Sequence, residues 1–118
     1  MYDNVEICVE LVSSDVQLPK YSKPGDAGMD VRSTIDIEIG PGKTVLIPTG
    51  LKMAIPEGYE IQVRPRSGLS LKTPLRVSNS PGTIDCGFRD EVCVIITNTS
   101  QTESYKIDKG ERVAQFVL

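Results

Sequence analysis

The 118-residue sequence contains no histidine and no tryptophan, and only three of its residues are cysteines. The absence of histidine excludes the usual zinc cages, the Ser-His-Asp triad and Cys-His proteolysis. The cysteines are odd in number and form no Cys-x-x-Cys pair, so neither a disulfide framework nor a zinc site is indicated. Any acid-base chemistry must therefore come from carboxylates, lysine, tyrosine or cysteine.

Two further absences concern location and partners. No run approaches the about eighteen apolar residues that a membrane span requires, and the N-terminus lacks the ordered regions of a signal peptide. With a net charge of −3, the sequence does not have the basic stripe that is typical of a general nucleic-acid binder. We therefore expect a cytoplasmic protein that binds neither membranes nor nucleic acid. A small anionic ligand stays possible if a metal ion supplies positive charge.

Short alternating segments fill the sequence. Apolar side chains recur at every second position, as in Ile35, Ile37 and Ile39, which is typical of half-buried β-strands. Pro-Gly turn signals lie between these segments. The length fits one domain, so we predict a single all-β domain over residues 1–118 with a jelly-roll, sandwich or barrel architecture. Only Ser67 to Lys72 suggests a helical turn, with Ser67 as its cap.

Four stretches carry the candidate functional residues. The stretch "NSPGTIDCGFRDEV", residues 79–92, contains a Pro-Gly turn and a strand-like pair followed by Asp85. We interpret it as a tight β-hairpin with Asp85 on its first arm, whose backbone groups read a flat heterocycle while Phe88 stacks on a ring. In the alternative, Asp85 pairs with Arg89 or Arg66, and Phe88 fills the core.

The stretch "VRPRSGLSLK", residues 63–72, indicates an anion site. Arg64 and Arg66 flank a proline, and Ser67 and Gly68 open the predicted helical turn. Guanidinium groups, a hydroxyl and unpaired backbone N–H groups together suit a phosphate. In the alternative, Ser67 is only a cap and the arginines are solvated or paired with surface acids.

The other two stretches contain an acid pair and a lone amide. In "KPGDAGMDVRS", residues 23–33, Asp26 and Asp30 lie four positions apart in a Gly-rich loop that could hold Mg2+, directly or through its waters. The alternative is a turn whose acids bond to local backbone. In "KGERVAQFVL", residues 109–118, Gln115 interrupts an apolar strand and needs hydrogen-bond partners, unless it faces outward on an edge strand.

Taken in this order, the four stretches resemble the signature motifs of the trimeric dUTPase family (deoxyuridine 5′-triphosphate nucleotidohydrolases). "DAGMDVRS" is similar to the first motif, "RPRSGLSLK" to the second, "NSPGTIDCGFRDEV" to the third and "KGERVAQFVL" to the fourth. The segment "TVLIPTGLKMAIPEGYEIQVRPRSGL" also resembles the framework strands before the second motif. The resemblance implies a jelly-roll homotrimer with three active sites between subunits, which cleaves dUTP to dUMP and pyrophosphate with Mg2+.

The resemblance also implies a role for each matched residue. Asp85 matches the acid that activates the attacking water, and Arg66 matches the arginine that supports this acid. Asp30 matches an acid near the waters of a Mg2+ ion held mainly by triphosphate and water, so no direct protein ligand is expected. The matched phosphate contacts are Ser67, Gly68 and Gln115. The residues that match the uracil and deoxyribose site are Asn79, Gly82, Thr83, Ile84, Asp85 and Phe88.

Three departures from the family pattern stand out. Phe88 replaces the usual Tyr, which keeps a ring against the deoxyribose but loses a hydroxyl group. Asp90 replaces a common Gly after Arg89, which adds charge and removes backbone freedom. The fifth motif, a Gly-rich C-terminal arm, is not among these residues. We expect further residues after Leu118, and reduced turnover without them.

Two other functions fit parts of the same pattern. A dCTP deaminase shares the fold class but requires a Glu base where this chain has Asp85. A non-catalytic nucleotide sensor or protein-binding module would need no fifth motif.

Overall fold

The computed structural model describes residues 4–118, which form eleven strands and one short helix. In chain order the elements are β1 (Cys8–Leu11), β2 (Met29–Arg32), β3 (Ile37–Ile39), β4 (Thr44–Pro48), β5 (Leu51–Ala54), β6 (Ile61–Arg64), α1 (Ser67–Lys72), β7 (Leu75–Val77), β8 (Gly82–Ile84), β9 (Cys93–Asn98), β10 (Tyr105–Ile107) and β11 (Arg112–Val117). The predicted all-β fold and the helical turn are confirmed. Within the described residues, no helix is long and apolar enough to cross a membrane.

The strands pair antiparallel in four groups. The larger groups are a four-stranded sheet in the order β2-β11-β6-β8 and a three-stranded sheet in the order β4-β9-β7. Two further pairs join β1 to β5 and β10 to β3. Neighbours in a sheet are mostly distant in sequence, so the chain passes back and forth between layers, as expected for a β-sandwich.

The core lies where alternating strand residues face inward. Along β9, Val94, Ile96 and Asn98 are buried, whereas the residues between them are only half-buried. The Asn98 amide nitrogen donates to the carbonyls of Ile39 at 3.0 Å and Glu103 at 2.8 Å, so this buried polar group is paired. Ser33 and Thr49 are the other buried polar residues among those described. The buried apolar residues form one cluster, which includes Val31, Ile47, Leu51, Ile61, Leu75, Ile107, Val113 and Phe116.

The hairpin predicted over residues 79–92 is wrong in its strand pairing. β8 pairs with β6, whereas β9 pairs with β4 and β7. Both arms bury apolar side chains, Ile84 on β8 and Val94 on β9, and each arm does so in a different sheet. One turn bond remains, from the Phe88 N–H to the Asp85 carbonyl at 3.1 Å. Residues 85–91, the crossing segment, therefore connect one sheet to the other.

Candidate active site

The four sequence stretches meet in the four-stranded sheet. Asp30 lies on β2 and Gln115 on β11, while Arg66 follows β6 and Asp85 follows β8 directly. The strand order β2-β11-β6-β8 thus places the first, fourth, second and third stretches side by side. Residues up to 85 positions apart in sequence (Asp30 and Gln115) face each other in register on neighbouring strands.

Asp30 contacts two guanidinium groups. Its Oδ1 accepts a hydrogen bond from Arg66 Nε at 3.0 Å, and its Oδ2 lies 3.5 Å from Arg112 Nη1. Because Arg66 uses only Nε, both of its terminal nitrogens have no hydrogen bond within residues 4–118. Asp30, Arg66, Arg112 and Gln115 form what we call the arginine cluster. Its unpaired guanidinium nitrogens suit a phosphate.

Gln115 is held toward this cluster by a close approach to Gly28. The Gln115 amide nitrogen donates to the Pro65 carbonyl at 3.0 Å, which uses one of its two N–H groups. A side-chain carbon on Gly28 would lie 2.2 Å from Gln115 Oε1, so a larger residue at position 28 would displace the amide from this position. Gln115 is half-buried rather than outward-facing on an edge strand, and its second N–H stays available for an anion.

The role predicted for Ser67 as a helix cap is wrong. Arg66 occupies the N-cap position with extended backbone and without a side-chain cap bond. Its carbonyl accepts the Ser70 N–H at 3.1 Å, while its side chain is engaged by Asp30. Ser67 is the first helical residue and is exposed, and Gly68 follows it. The Ser67 hydroxyl is therefore free to contact a ligand beside Arg66.

A cavity of about 120 Å³ lies beside β8. We call it the β8 cavity. Five of the six residues predicted for the uracil and deoxyribose site line it, namely Asn79, Gly82, Thr83, Ile84 and Phe88, and Val63, Val92, Cys93 and Ile95 complete its walls. Phe88 is 42% exposed, so it does not fill the core. A side-chain carbon on Gly82 would lie 3.0 Å from the Asn79 amide nitrogen, so glycine lets this amide lie against β8.

Asp85 stands apart from both the arginine cluster and the lining of the β8 cavity. It is exposed at the end of β8, and within residues 4–118 its carboxylate has no ion pair. The register pairs Ile61 with Ile84 and Val63 with Gly82, so Arg66 and Asp85 lie beyond opposite ends of the β6–β8 pair. At about 3.3 Å per residue they are roughly 15–20 Å apart. Neither predicted partner, Arg66 or Arg89, pairs with Asp85 in one chain.

A larger cavity, of about 470 Å³, lies beside β2, and Asp30 and Arg112 of the arginine cluster are among its lining residues. Its walls come from residues 15–22 and 30–34, together with Thr49, Leu51, Lys109, Gly110 and Arg112. Across its rim, Lys109 Nζ contacts Asp15 Oδ2 at 2.6 Å. This hydrogen bond, with one from Ser13, lowers the pKa of Asp15 to about 2, and Asp15 in turn raises the pKa of Lys109. Nothing in the sequence pattern predicted this cavity.

Sequence reasoning also missed Arg112. The only signal for it was its position on the same apolar strand as Gln115, in "KGERVAQFVL". Its contact with Asp30 joins residues 82 positions apart, and strand pairing at that distance is invisible in a single sequence.

A family model described as dUTPase matches residues 14–118. The chain belongs to the dUTPase family. Curated dUTPases (deoxyuridine 5′-triphosphate nucleotidohydrolases) include one from Streptomyces coelicolor that is 44% identical over 114 residues, covering 97% of this chain and 62% of that protein. Another, from Fusobacterium nucleatum, is 54% identical over 105 residues, covering 87% of this chain and 71% of that protein. The chain thus spans 62% and 71% of the length of these two relatives.

Solved dUTPase structures from staphylococcal phages have the same fold. A mutant of the phage 80alpha dUTPase with dUpNHpp superposes with a TM-score of 0.87 at 30% identity, covering 95% of this chain and 80% of that one. A mutant dUTPase from phage phi11 of S. aureus, described with a structural Mg(II) ion, gives a TM-score of 0.88 at 27% identity, covering 95% and 88%. The dUTPase resemblance and the jelly-roll fold predicted from the motifs are therefore confirmed.

Proposed function

We propose that this chain hydrolyses dUTP to dUMP and pyrophosphate. The observation that supports this most is the β8 cavity, whose lining contains five of the residues that the family's third motif assigns to uracil and deoxyribose. The same sheet carries the arginine cluster, which has the donors that a polyphosphate needs. A nucleoside and a triphosphate are the two parts of dUTP, so the two regions together match the substrate.

The proposed assembly is a homotrimer with an active site between each pair of subunits. In one chain Asp85 and Arg66 lie beyond opposite ends of a strand pair, too far apart to act on one phosphorus atom. A second copy resolves this, since it can bring its arginine cluster to the first copy's Asp85. Leu46 is 61% exposed and lies opposite Ile95 on the outer face of the three-stranded sheet. Such an apolar face suits contact with another subunit.

In the proposed reaction Asp85 is the general base. Its exposed carboxylate is not committed to an ion pair within residues 4–118, so it can accept a proton from water. The water oxygen bonds to the α-phosphorus, the bond from that phosphorus to the bridging oxygen breaks, and pyrophosphate leaves. Arg66 and Gln115, with Ser67 and Gly68, hold the phosphates and stabilise the charge that develops.

Selection of the deoxyuridine part is assigned to the β8 cavity. β8 is the last strand of its sheet, so the backbone groups on its outer edge are not used in strand pairing. These N–H and C=O groups can read the edge of a uracil ring as a neighbouring strand would, assisted by Asn79. The Phe88 ring would lie against the deoxyribose and leave no room for a 2′-hydroxyl.

Magnesium is the cofactor that we propose. Within residues 4–118 no group of three or more His, Cys, Asp or Glu side chains is arranged to hold a metal ion. Both oxygens of Asp30 face guanidinium groups, so a contact through water suits Asp30 better than direct ligation. Mg2+ commonly binds substrate phosphates and several waters with few protein ligands, which fits these donors. When bound, it would neutralise charge on the triphosphate.

A product assay tests the proposal directly. The protein is incubated with dUTP, with and without Mg2+, and the release of dUMP and pyrophosphate is measured. Parallel reactions with dCTP distinguish the deaminase alternative, because ammonia release from dCTP would replace the present assignment. Binding of dUTP without turnover of either nucleotide would favour the non-catalytic sensor. The cytoplasmic location and the single domain over residues 1–118 stay predictions.

A further inference from the structure

The crossing segment, which carries Phe88 to the β8 cavity, has few ties of its own. Phe88 N–H donates to the Asp85 carbonyl, and the Arg89 guanidinium donates to the carbonyls of Cys86 and Phe88. All of these bonds stay inside the segment. Within residues 4–118, none of the residues from Asp85 to Asp90 forms a hydrogen bond with another part of the chain. Cys86 packs against the core, but the long-range hydrogen bonds that can fix Phe88 lie where the segment ends.

Glu91 is the first residue of this segment with a long-range bond. Its Oε2 accepts the backbone N–H of Gly50 at 3.0 Å. Directly after it, the Val92 N–H donates to Leu51 at 2.8 Å, and the Val92 carbonyl accepts the Thr49 N–H at 3.1 Å and the Thr49 hydroxyl at 2.6 Å. The end of the crossing segment is thus tied to the turn between β4 and β5.

The partner of Glu91 is itself fixed. Gly50 has a φ of +75°, and a side-chain carbon there would lie 2.5 Å from Val16, so the turn requires glycine. This conformation presents the Gly50 N–H to Glu91, which is half-buried. An acceptor oxygen that reaches this N–H from position 91 therefore has a partner in a fixed place, and leaving a half-buried N–H without a partner is costly.

Glu91 also lies close to the wall of the β8 cavity. Val92 and Cys93, which follow it, both line the cavity. Burial and, to a smaller degree, the Glu91 charge raise the pKa of the Cys93 thiol. Displacement of the Glu91 side chain would therefore affect two parts of the β8 cavity. These are Phe88, three residues before Glu91, and the wall formed by Val92 and Cys93 directly after it.

We propose that Glu91 is a positioning residue that holds Phe88 against the deoxyribose by its bond to the Gly50 N–H, and so sets discrimination against ribonucleotides. The inference rests on the proposed function, because it assigns the β8 cavity to the nucleoside. It requires side-chain length and an acceptor oxygen at position 91, whereas the negative charge itself is not needed.

Two variants separate length from charge. Glu91→Gln keeps the length and an acceptor oxygen but removes the charge. Glu91→Asp keeps the charge but withdraws the carboxylate by about 1.5 Å, one carbon–carbon bond, from the Gly50 N–H. Glu91→Ala removes both, and Glu57→Ala, an exposed site in the turn after Ile55, is the matched control.

The measurements are the dissociation constants of dUMP and UMP, and kcat/KM for dUTP and UTP. We expect the preference for the deoxy form to fall by about tenfold in Glu91→Asp and Glu91→Ala, as loss of one hydrogen bond would cause. Glu91→Gln and Glu57→Ala should keep the wild-type preference. If Glu91→Ala does not fold, the comparison of Glu91→Gln with Glu91→Asp still tests the inference.

Three results would overturn the inference. The first is a preference for the deoxy form that is unchanged in Glu91→Asp. The second is a preference that is lost in Glu91→Gln but kept in Glu91→Asp, because the negative charge would then be the property that matters. The third is a wild-type protein that binds dUMP and UMP equally. By contrast, a wild-type protein that prefers dUMP but does not hydrolyse dUTP contradicts the proposed hydrolysis and leaves the role of Glu91 in place.

Discussion

The β8 cavity and the arginine cluster belong to one sheet but are built from different chemistry. The cavity has an edge-strand backbone, a glycine and a lining in which apolar residues outnumber polar ones. The cluster consists of one carboxylate between two guanidinium groups, with an amide beside them. Shape and backbone groups distinguish one base or sugar from another, whereas charges attract any phosphate. Because the two regions differ in this way, mutations should be able to change selectivity for the base and sugar without changing phosphate binding, and the reverse.

Asp85→Asn should have the largest effect, since Asp85 is the proposed link between the two regions. We expect turnover of dUTP to fall by about 10²- to 10⁴-fold, because an amide cannot accept the proton from water. Affinity for dUMP should stay almost unchanged, since Asp85 does not line the β8 cavity. Steady-state kinetics and calorimetric binding measure the two effects. Asp90→Asn, an exposed acid in the same crossing segment, is the control, and undiminished turnover in Asp85→Asn would remove Asp85 from its role.

Arg66→Ala should weaken phosphate binding and turnover without affecting the β8 cavity. We expect kcat/KM for dUTP to fall by about 10²- to 10³-fold, the usual cost of removing one donor to developing charge, while deoxyuridine binding is kept. Arg64→Ala is a close control because Arg64 flanks the same proline, but within residues 4–118 its guanidinium donates hydrogen bonds only to Gln62, at 2.7 and 2.9 Å. Equal losses in the two variants would mean that general positive charge, rather than the arginine cluster, binds the phosphates.

Mixing the two inactive variants tests whether the regions act across subunits. Asp85→Asn chains retain Arg66, and Arg66→Ala chains retain Asp85. If each site takes one region from each of two chains, co-refolding equal amounts should restore about one quarter of wild-type activity by random assembly. Each variant refolded alone is the control. No recovery, in mixtures shown by mass measurement to contain hybrid oligomers, would indicate that both residues of a site come from one chain.

Strand positions and the residues of the β8 cavity were accessible to sequence reasoning. Alternation at every second position reflects burial on one face of a strand, so it predicts strands such as β9 from local pattern alone. The turn and strand residues from Asn79 to Ile84 occur together in sequence and therefore reach the cavity together. Local features of this kind need no knowledge of what the strand pairs with.

Contacts between distant residues were not accessible in the same way. The hairpin prediction failed because β8 finds its partner in β6 and β9 finds its partners in β4 and β7, a choice that the turn between them does not control. The pairing of both Asp30 oxygens with Arg66 and Arg112 likewise depends on strands distant in sequence, and the expected contact of Asp30 with metal-bound water stays a prediction. The predicted N-cap, Ser67, was wrong by one position, because the helix begins at Ser67 and Arg66 occupies the N-cap position.

The smallest effect is expected at the Asp15–Lys109 contact, on the arginine-cluster side of the molecule. The pKa of Asp15 is about 2 in the folded chain against 3.8 ordinarily, so its stabilising contribution is complete above about pH 4 and is lost as the pH falls toward 2. At the basic end, the raised pKa of Lys109 means that the contribution is lost only as the pH rises through that raised value.

Asp15→Asn should therefore lower Tm slightly at neutral pH, because both side chains are more than half exposed and surface pairs contribute little. The difference in Tm between wild type and Asp15→Asn should shrink between about pH 4 and pH 2. Asp108→Asn, which breaks the exposed Lys106–Asp108 pair at 3.4 Å, is the control. Since Asp15 lines the larger cavity rather than the β8 cavity, affinity for dUMP should not change. A change in dUMP affinity would show that the Asp15–Lys109 contact is coupled to the β8 cavity, and would contradict the independence of the β8 cavity from the arginine-cluster side.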